Sequence, residues 1–161
     1  MSESLHVLII EDSELDAKVI EGLLKAGGYD VTARRVETSA QMNEELNTGL
    51  FDVILADYNL PEFSAPEALR LLQENGRDLP FIVISGGIGE DMAVKVMKSG
   101  AHDYLMKGNL ARLVPAVERE VREARERAAL RDAEDSLQAA AEQMRIARDI
   151  QQRLFPEKSH S

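Results

Sequence analysis

The stretch Asp52-Val53-Ile54-Leu55-Ala56-Asp57 is the strongest indication of the fold, because four consecutive apolar residues lie between two acidic ones. Two other apolar runs, Leu5–Ile10 and Phe81–Ile84, are just as short, and the first is followed at once by Glu11 and Asp12. Short apolar runs without regular polar alternation are typical of strands that are buried on both faces of a parallel sheet. The three runs therefore predict the central strands of such a sheet.

The rest of the first two thirds of the chain alternates between strand and helix patterns. Weaker strand signals lie at Val31–Val36, which Arg34 and Arg35 interrupt, and at Tyr104–Met106. Helical patterns fill the intervals between strands: Asp16–Ala26 before Gly27, Ser39–Leu46 after Thr38, Pro66–Leu72 before Gly76, and Asp91–Met97 before Gly100. This alternation predicts an α/β fold with a five-stranded parallel, doubly wound sheet that fits the strand order 2-1-3-4-5. In that order, sites lie beyond the carboxyl ends of the strands.

The composition narrows the class of protein. The 161 residues suit one domain with an appendage, and the absence of cysteine excludes disulfides, thiol catalysis and cysteine-ligated metal centres. Residues 1–116 contain 19 acidic and 10 basic residues, and the remainder contains 10 and 9, which together give the net charge of −10. An acidic domain without clustered Lys and Arg argues against direct nucleic-acid binding. No segment resembles a membrane span or a signal peptide, so we expect no membrane contact and a cytoplasmic location.

The last third of the chain predicts one long helix that extends the final helix of the domain. Apolar and alanine residues recur there at three- and four-residue steps in two stripes whose register slips near Ala129–Asp132: Leu110, Val114, Val117, Val121, Ala124 and Ala128, then Ala133, Leu137, Ala140, Met144, Ala147, Ile150 or Gln151, and Leu154. About 45 residues of helix would extend about 65–70 Å, so the apolar stripe needs a cover. A second copy in a coiled coil is the simplest cover and predicts a homodimer. The alternative is a lone charged helix supported by ion pairs such as Glu118/Arg122.

Polar side chains follow the predicted strands at the edge where parallel strands end together. Glu11 and Asp12 follow the first strand, Asp57 the third, Ser85 the fourth and Lys107 the fifth. Two or three carboxylates with retained water suit Mg²⁺ (or Mn²⁺), which prefers oxygen ligands and phosphate co-ligands. Crowded carboxylates raise one another's pKa, so a metal cation or the lysine ammonium is needed to keep them ionised.

These groups together predict phosphoryl chemistry. An ionised carboxylate can attack phosphorus in line and form an aspartyl-phosphate, while a divalent cation, an ammonium group and a hydroxyl stabilise the phosphoryl oxygens. Asp57 is the best candidate for the nucleophile, because it follows the central buried strand. Lys107 and Ser85 are the candidates for the stabilising groups.

Residues 5 to about 122 resemble the receiver domain of two-component response regulators. The matching motifs are, in chain order, Leu8-Ile9-Ile10-Glu11-Asp12, Asp52-Val53-Ile54-Leu55-Ala56-Asp57, Leu60-Pro61, Pro80-Phe81-Ile82-Val83-Ile84-Ser85-Gly86 and Gly100-Ala101-His102-Asp103-Tyr104-Leu105-Met106-Lys107. The resemblance implies a flavodoxin-like fold. In one departure from the pattern, Gly108 follows Lys107 where receivers usually carry proline, so we expect a less rigid loop there.

The resemblance also implies a function and a role for each residue of the site. A sensor histidine kinase or histidine phosphotransfer protein donates the phosphoryl group, and the domain acts as a switch rather than as an enzyme. The implied site residues are the phosphoacceptor Asp57, the direct Mg²⁺ ligands Asp12, Asp57 and the Asn59 backbone carbonyl, the water-mediated ligand Glu11, the phosphate partners Lys107 and Ser85, and the switch residues Ser85 and Tyr104.

We expect a receiver domain over residues 4–122, a helical coiled-coil linker over 123–155, and a disordered tail or the start of a further domain over 156–161. Residues 147–156 resemble the start of metal-dependent Ser/Thr phosphatase domains of the sporulation type. On that interpretation a dimeric helical stalk feeds an output phosphatase that is absent from this chain. The alternative is a stand-alone receiver adaptor that acts by protein–protein contact.

Two other classes of protein compete with the receiver interpretation. Hydrolases of the haloacid dehalogenase type also form an aspartyl-phosphate, but they carry the nucleophile after the first strand in an Asp-x-Asp pattern. Here the first strand is followed by Glu11-Asp12-Ser13. A flavin-binding protein of similar topology would need a Ser/Thr/Gly-rich phosphate loop after the first strand, and the sequence has none there.

Overall fold

A computed structural model describes residues 2–87 and 89–154. The five strands are β1 (Glu3–Ile10), β2 (Tyr29–Val36), β3 (Val53–Asp57), β4 (Phe81–Ser85) and β5 (Asp103–Met106). The helices are α1 (Glu14–Ala26), α2 (Ser39–Thr48), α3 (Ala65–Asn75), α4 (Glu90–Lys98) and α5 (Leu113–Leu154), with one 3₁₀ turn at Leu110–Arg112. The sheet order is β2-β1-β3-β4-β5, and every neighbouring pair is parallel. The predicted fold class and strand order are confirmed.

The two arginines that interrupt the second strand signal lie on an edge strand. β2 pairs only with β1, and its side chains alternate between half-buried and exposed along most of its length. Both β1 and β2 begin two residues before their apolar runs, because Glu3 is already paired with Tyr29. An edge strand is less covered than a central strand, so it can contain exposed side chains such as those of Arg34 and Arg35 without ending.

The core consists of two apolar layers, one on each face of the sheet. Alternate residues of the same strand point to opposite faces, so Leu8 and Ile10 pack in the layer under α2 and α3, whereas Val7 and Ile9 pack in the layer under α1 and the start of α5. Every residue of β3 and β4 is buried. Polar groups can therefore enter these central strands only at their ends, which is where Asp57 and Ser85 lie.

Local signals set the ends of the helices. Ser13, Thr38 and Ser64 are N-caps whose hydroxyl oxygens accept hydrogen bonds from backbone N–H groups in the first turns of α1, α2 and α3. Gly76 follows α3 with φ of 79°, a left-handed conformation that favours glycine at a helix end. The Thr38 and Gly76 boundaries agree with those predicted from the sequence.

The final helix begins later than its apolar pattern suggests. Leu110–Arg112 forms the 3₁₀ turn, and the α-helix starts at Leu113, two residues before Pro115. Proline lacks an N–H group, and the first turn of an α-helix is where that loss has no cost. The chain divides into two compact units between Ala124 and Arg125. The predicted boundary after residue 122 remains a prediction, and the predicted tail at 156–161 lies outside the described residues.

Residues 125–154 of the second unit are helical, and their large apolar side chains are exposed: Leu130, Leu137, Met144, Ile146, Ile150 and Leu154. Arg145 pairs with Glu142 and with Asp149 along the helix. No helix in the described part of the chain is long and apolar enough to cross a membrane.

Ile54 provides a test of the core. Its side chain is fully buried in β3, so we expect Ile54→Ala to lower the free energy of unfolding by about 2–5 kcal/mol through the cavity that it leaves. Leu50, which is 82% exposed shortly before the same strand, is the matched control, and Leu50→Ala should change stability by less than about 0.5 kcal/mol. Urea unfolding measures both variants. Equal effects would contradict the assignment of β3 to the centre of the core.

Candidate functional site

The carboxyl ends of β1 and β3 bring three acidic side chains together. Carboxylate oxygens of Glu11, Asp12 and Asp57 lie within 4.8 Å of one another. Glu11 and Asp57 are buried, with only 2% and 7% of each residue exposed, whereas Asp12 is exposed. The result is a carboxylate cluster with one side open to solvent, at the place where the sequence predicts the site.

Lys107 carries the positive charge at this cluster. Its Nζ donates hydrogen bonds to Asp16 Oδ2 at 3.0 Å and to Asp57 Oδ2 at 3.1 Å, and it lies 3.2 Å from Glu11 Oε2. An ammonium group has three donors, so these three carboxylates can use all of them. The predicted proximity of Lys107 to Asp57 is thus present in the structure.

Backbone hydrogen bonds hold the loops that carry the site. The Lys107 N–H donates to the Ser85 carbonyl at 2.8 Å, so the residue after β5 is bonded to the end of β4. The Tyr58 N–H donates to the Ile84 carbonyl at 3.1 Å, and the Asn59 N–H donates to Asp57 Oδ1 at 3.1 Å. Asn59 therefore lies beside the Asp57 carboxylate. The role of its carbonyl as a metal ligand stays a prediction.

Glu11 accepts two hydrogen bonds, and its pKa is raised. Its Oε1 accepts a hydrogen bond from the Ser13 N–H at 3.1 Å, and its carbonyl accepts one from Arg35 Nη1 at 3.2 Å. Burial raises the pKa of Glu11 to about 7, with further contributions from Asp12 and the charge of Asp57, against the lowering effect of Ser13 and Lys107. The raised pKa of Glu11 thus comes first from burial and second from the neighbouring acidic groups, which outnumber the single lysine.

The pKa of Lys107 is also raised, which for an ammonium group favours the charged form. Burial alone would lower the pKa of its ammonium, but the hydrogen bonds to Asp16, Asp57 and Glu11 outweigh burial and hold that pKa above its ordinary value. The Lys107 side chain is therefore charged at neutral pH.

The donor set fits a hard divalent cation. All three side chains of the cluster offer oxygen, and Mg²⁺ and Mn²⁺ prefer oxygen ligands. Three carboxylates close together also attract a divalent cation by their negative charge. Glu11 reaches the same cluster as Asp12 and Asp57 in the described residues, so it could bind an ion directly as well as through water.

The two predicted switch residues lie in β4 and β5. Ser85 is fully buried at the end of β4, and its Oγ accepts a hydrogen bond from the Gly87 N–H at 3.3 Å. Tyr104 lies in β5 opposite Val83 and packs against the apolar layer under α2 and α3. Its hydroxyl is buried and has no hydrogen-bond partner among the described residues.

Two residues of the site escape sequence reasoning. Asp16 contacts Lys107 across 91 positions of the chain, and Arg35 reaches from β2 to the carbonyl of Glu11. The only local signal is the spacing of Ser13 and Asp16, which is typical of a helix start and predicts a cap rather than a site. Nothing in the local pattern of β2 indicates that Arg35 turns toward β1.

The family model for the response regulator receiver domain matches residues 7–118. That match covers more than half of the chain, and the fold and site described above agree with it. The chain therefore belongs to the response regulator receiver domain family.

Individual proteins resemble parts or most of the chain. The cell cycle transcriptional regulator CtrA of Caulobacter vibrioides is 35% identical over 104 residues, which are 64% of this chain and 44% of CtrA. The transcriptional regulatory protein ZraR of Klebsiella oxytoca is 28% identical over 105 residues, 65% of this chain and 23% of ZraR. The chain thus spans less than half the length of these relatives.

A solved structure resembles the domain. The receiver domain of the sensor histidine kinase PA1611 of Pseudomonas aeruginosa PAO1 is 29% identical with a TM-score of 0.61, over 73% of this chain and 98% of that one. That structure contains a magnesium ion coordinated in its active-site cleft.

Removal of the Lys107 charge should unbalance the carboxylate cluster. We expect Lys107→Met to lower the free energy of unfolding in metal-free buffer by about 1–3 kcal/mol, because Glu11 and Asp57 are then buried without a counter-charge. Millimolar Mg²⁺ should restore much of that loss. Thermal unfolding with and without EDTA measures both effects.

Lys98→Met is the matched control, since Lys98 is an exposed lysine at the end of α4. It should change stability little, with or without Mg²⁺. A Lys107 variant as stable as the wild type in EDTA would show that the lysine does not compensate the cluster.

Proposed function

We propose that the chain accepts a phosphoryl group on Asp57 and acts as a phosphorylation switch. The observation that supports this most strongly is the pairing of the buried Asp57 carboxylate with the Lys107 ammonium at 3.1 Å, beside two further carboxylates that could hold a cation. A structural aspartate would need only the lysine. The additional carboxylates are explained if the site binds a divalent cation, which in turn stabilises a phosphoryl group on Asp57.

The reaction is a transfer between two side chains. An Asp57 carboxylate oxygen attacks the phosphorus of a phosphohistidine on a sensor histidine kinase or phosphotransfer protein, the new P–O bond forms, and the P–N bond breaks. The imidazole leaves with the electron pair and takes up a proton. Lys107 can then exchange its contact with Asp57 for a contact with a phosphoryl oxygen, since an ammonium group has rotatable donors.

Asp12, Asp57 and the Asn59 carbonyl would bind Mg²⁺ directly, with Glu11 close enough to bind it directly or through water. When bound, the cation neutralises charge on the phosphoryl oxygens. The magnesium in the cleft of the PA1611 receiver supports this assignment. Ser85 would turn from Gly87 to the phosphoryl group, and Tyr104 would shift with it, which makes the response a population shift between two packings.

The test of this function is labelling by acetyl phosphate, a small-molecule phosphoryl donor. We expect the wild type with Mg²⁺ to gain one acid-stable, hydroxylamine-sensitive phosphoryl group, measured by intact-protein mass spectrometry. Asp57→Asn should abolish labelling and leave the fold intact, because asparagine occupies the same volume without the nucleophilic charge. EDTA should abolish labelling of the wild type.

Asp30→Asn is the control for that experiment, since Asp30 is an exposed aspartate in β2, close to the other end of the sheet. It should be labelled like the wild type. If Asp57→Asn is still labelled, another residue is the acceptor and the proposed function fails. If the folded wild type takes up no label, a receiver-fold module without phosphoryl chemistry becomes the better description.

The helix in residues 125–154 supports a second part of the proposal, a homodimer. Leu130, Leu137 and Met144 recur every seven residues and are more than 60% exposed, and Ala133, Ala140 and Ala147 recur on the same side of the helix. The ion pairs of Arg145 with Glu142 and Asp149 lie on the opposite side. An apolar stripe with a seven-residue repeat opposite an ion-paired side is typical of a coiled coil.

Sedimentation equilibrium tests the dimer. We expect the wild type to dimerise at micromolar concentration and Leu137→Glu to weaken dimerisation at least tenfold, because the charge would be buried in the seam. Ile146→Glu is the matched control: Ile146 is also exposed but lies away from the stripe. Beryllofluoride, which imitates the phosphoryl group, should change the wild-type dimerisation constant. A wild type that stays monomeric at high micromolar concentration would exclude the dimer.

We further propose that the phosphorylated domain acts on an output by way of this helix. The relatives CtrA and ZraR are named as transcriptional regulators, and their greater length leaves room for further domains. The phosphatase resemblance of residues 147–156 has no support in the family match, which ends at residue 118, and part of it lies outside the described residues. A stand-alone adaptor without direct nucleic-acid contact is the alternative, and the length of the natural reading frame distinguishes the two.

A further inference from the structure

Asp16 contacts the site from outside the cation cluster. The carboxylates that are close enough to hold an ion in the described residues are Glu11, Asp12 and Asp57, and Asp16 is not among them. Yet Asp16 Oδ2 lies 3.0 Å from Lys107 Nζ, as close as either of the other two carboxylates that contact the lysine. Asp16 therefore contacts Lys107 without belonging to the cation cluster, so its role differs from that of the other two carboxylates.

The position of Asp16 is set by the start of α1. Asp16 lies in the first helical turn, and its N–H donates to the Oγ of the N-cap Ser13 at 3.2 Å. Ser13 in turn donates its own N–H to Glu11 Oε1 at 3.1 Å. The backbone of Asp16 is therefore bonded to the short segment that carries Glu11 and Asp12, which places its carboxylate within reach of Lys107.

The three contacts of Lys107 differ in what happens to them when the site is used. On the proposed function, Glu11 and Asp57 turn to a divalent cation, and Asp57 becomes esterified. Both would then bind Lys107 less strongly, because their negative charge is shared or consumed. Asp16 stays an ordinary carboxylate, 45% exposed at the side of the site. It alone of the three can keep its contact with the ammonium throughout the reaction.

We propose that Asp16 is a positioning residue that tethers the Lys107 ammonium beside Asp57 while the other two carboxylates bind the cation and the phosphoryl group. Without the tether, the long and 29% exposed lysine side chain would occupy several rotamers and would less often meet the phosphoryl oxygen. This inference rests on the proposed function, and it adds a residue from α1 to the machinery of the site.

The test compares Asp16→Ala with Glu14→Ala, which removes an exposed carboxylate from the same helical turn. For Asp16→Ala we expect the rate of acetyl phosphate labelling to fall by about 3- to 5-fold, in line with a partly exposed ion pair, and the Kd for beryllofluoride to rise by a similar factor. The Kd for Mg²⁺ should change less than about twofold. Glu14→Ala should leave all three quantities unchanged, and Asp16→Glu should restore much of the labelling rate.

A chemical measurement tests the tether without any phosphoryl chemistry. Reductive methylation of the folded protein, followed by peptide mass spectrometry, reports how readily each lysine nitrogen is reached. We expect Asp16→Ala to raise methylation of Lys107 by about 3- to 5-fold and to leave Lys98 unchanged. A structural loosening of the domain would instead lower the midpoint of thermal unfolding, which should stay at the wild-type value in Asp16→Ala.

The outcomes separate this inference from the function on which it rests. An unlabelled wild type would contradict the proposed function, while the methylation of Lys107 would still decide whether Asp16 restrains it. A labelled wild type with an equally fast Asp16→Ala variant, or with unchanged Lys107 methylation, would overturn the tether and leave the proposed function intact. A faster Asp16→Ala variant would mean that Asp16 competes for the lysine and would also overturn the inference.

Discussion

The placement of one ammonium group among three carboxylates is the interaction on which the site depends. Lys107 lies within 3.2 Å of Glu11, Asp16 and Asp57, and two of these carboxylates are almost completely buried. Buried carboxylates without a counter-charge would be too costly to keep ionised. One lysine cannot neutralise all of these carboxylates, and burial, with smaller contributions from Asp12 and Asp57, raises the pKa of Glu11 to about 7. The cluster is therefore arranged to receive further positive charge.

The sheet explains why this arrangement arises at one place. Because β3 and β4 are buried along their whole length, they can offer polar side chains only at their ends, and parallel strands end at the same edge. β3 lies between β1 and β4, so Asp57 stands next to the acids that follow β1 and next to Ser85. The bond from the Lys107 N–H to the Ser85 carbonyl then fixes the fifth strand end to the fourth. The strand packing that forms the core therefore also brings the residues of the site together.

Residues 125–154 differ from the domain in the exposure of their large apolar side chains. These side chains are exposed, and Arg145 pairs with Glu142 and Asp149 on the side away from the stripe of Leu130, Leu137 and Met144. The two apolar layers of the domain are covered by helices of the same chain, whereas this stripe has a seven-residue repeat that suits a second helix.

The elements, their parallel order and the three acidic residues of the cluster can be predicted from local patterns in the sequence. Short apolar runs followed by Glu11, Asp12, Asp57 and Lys107 can be read directly, since a strand end is visible in the chain. The contacts of Asp16 and Arg35 with the site, and the burial of the Tyr104 hydroxyl without a partner in the described residues, could not be predicted in this way. They depend on how α1, β2 and β5 pack in the folded domain. Contacts over many tens of residues leave no periodicity or spacing in the sequence from which they could be predicted.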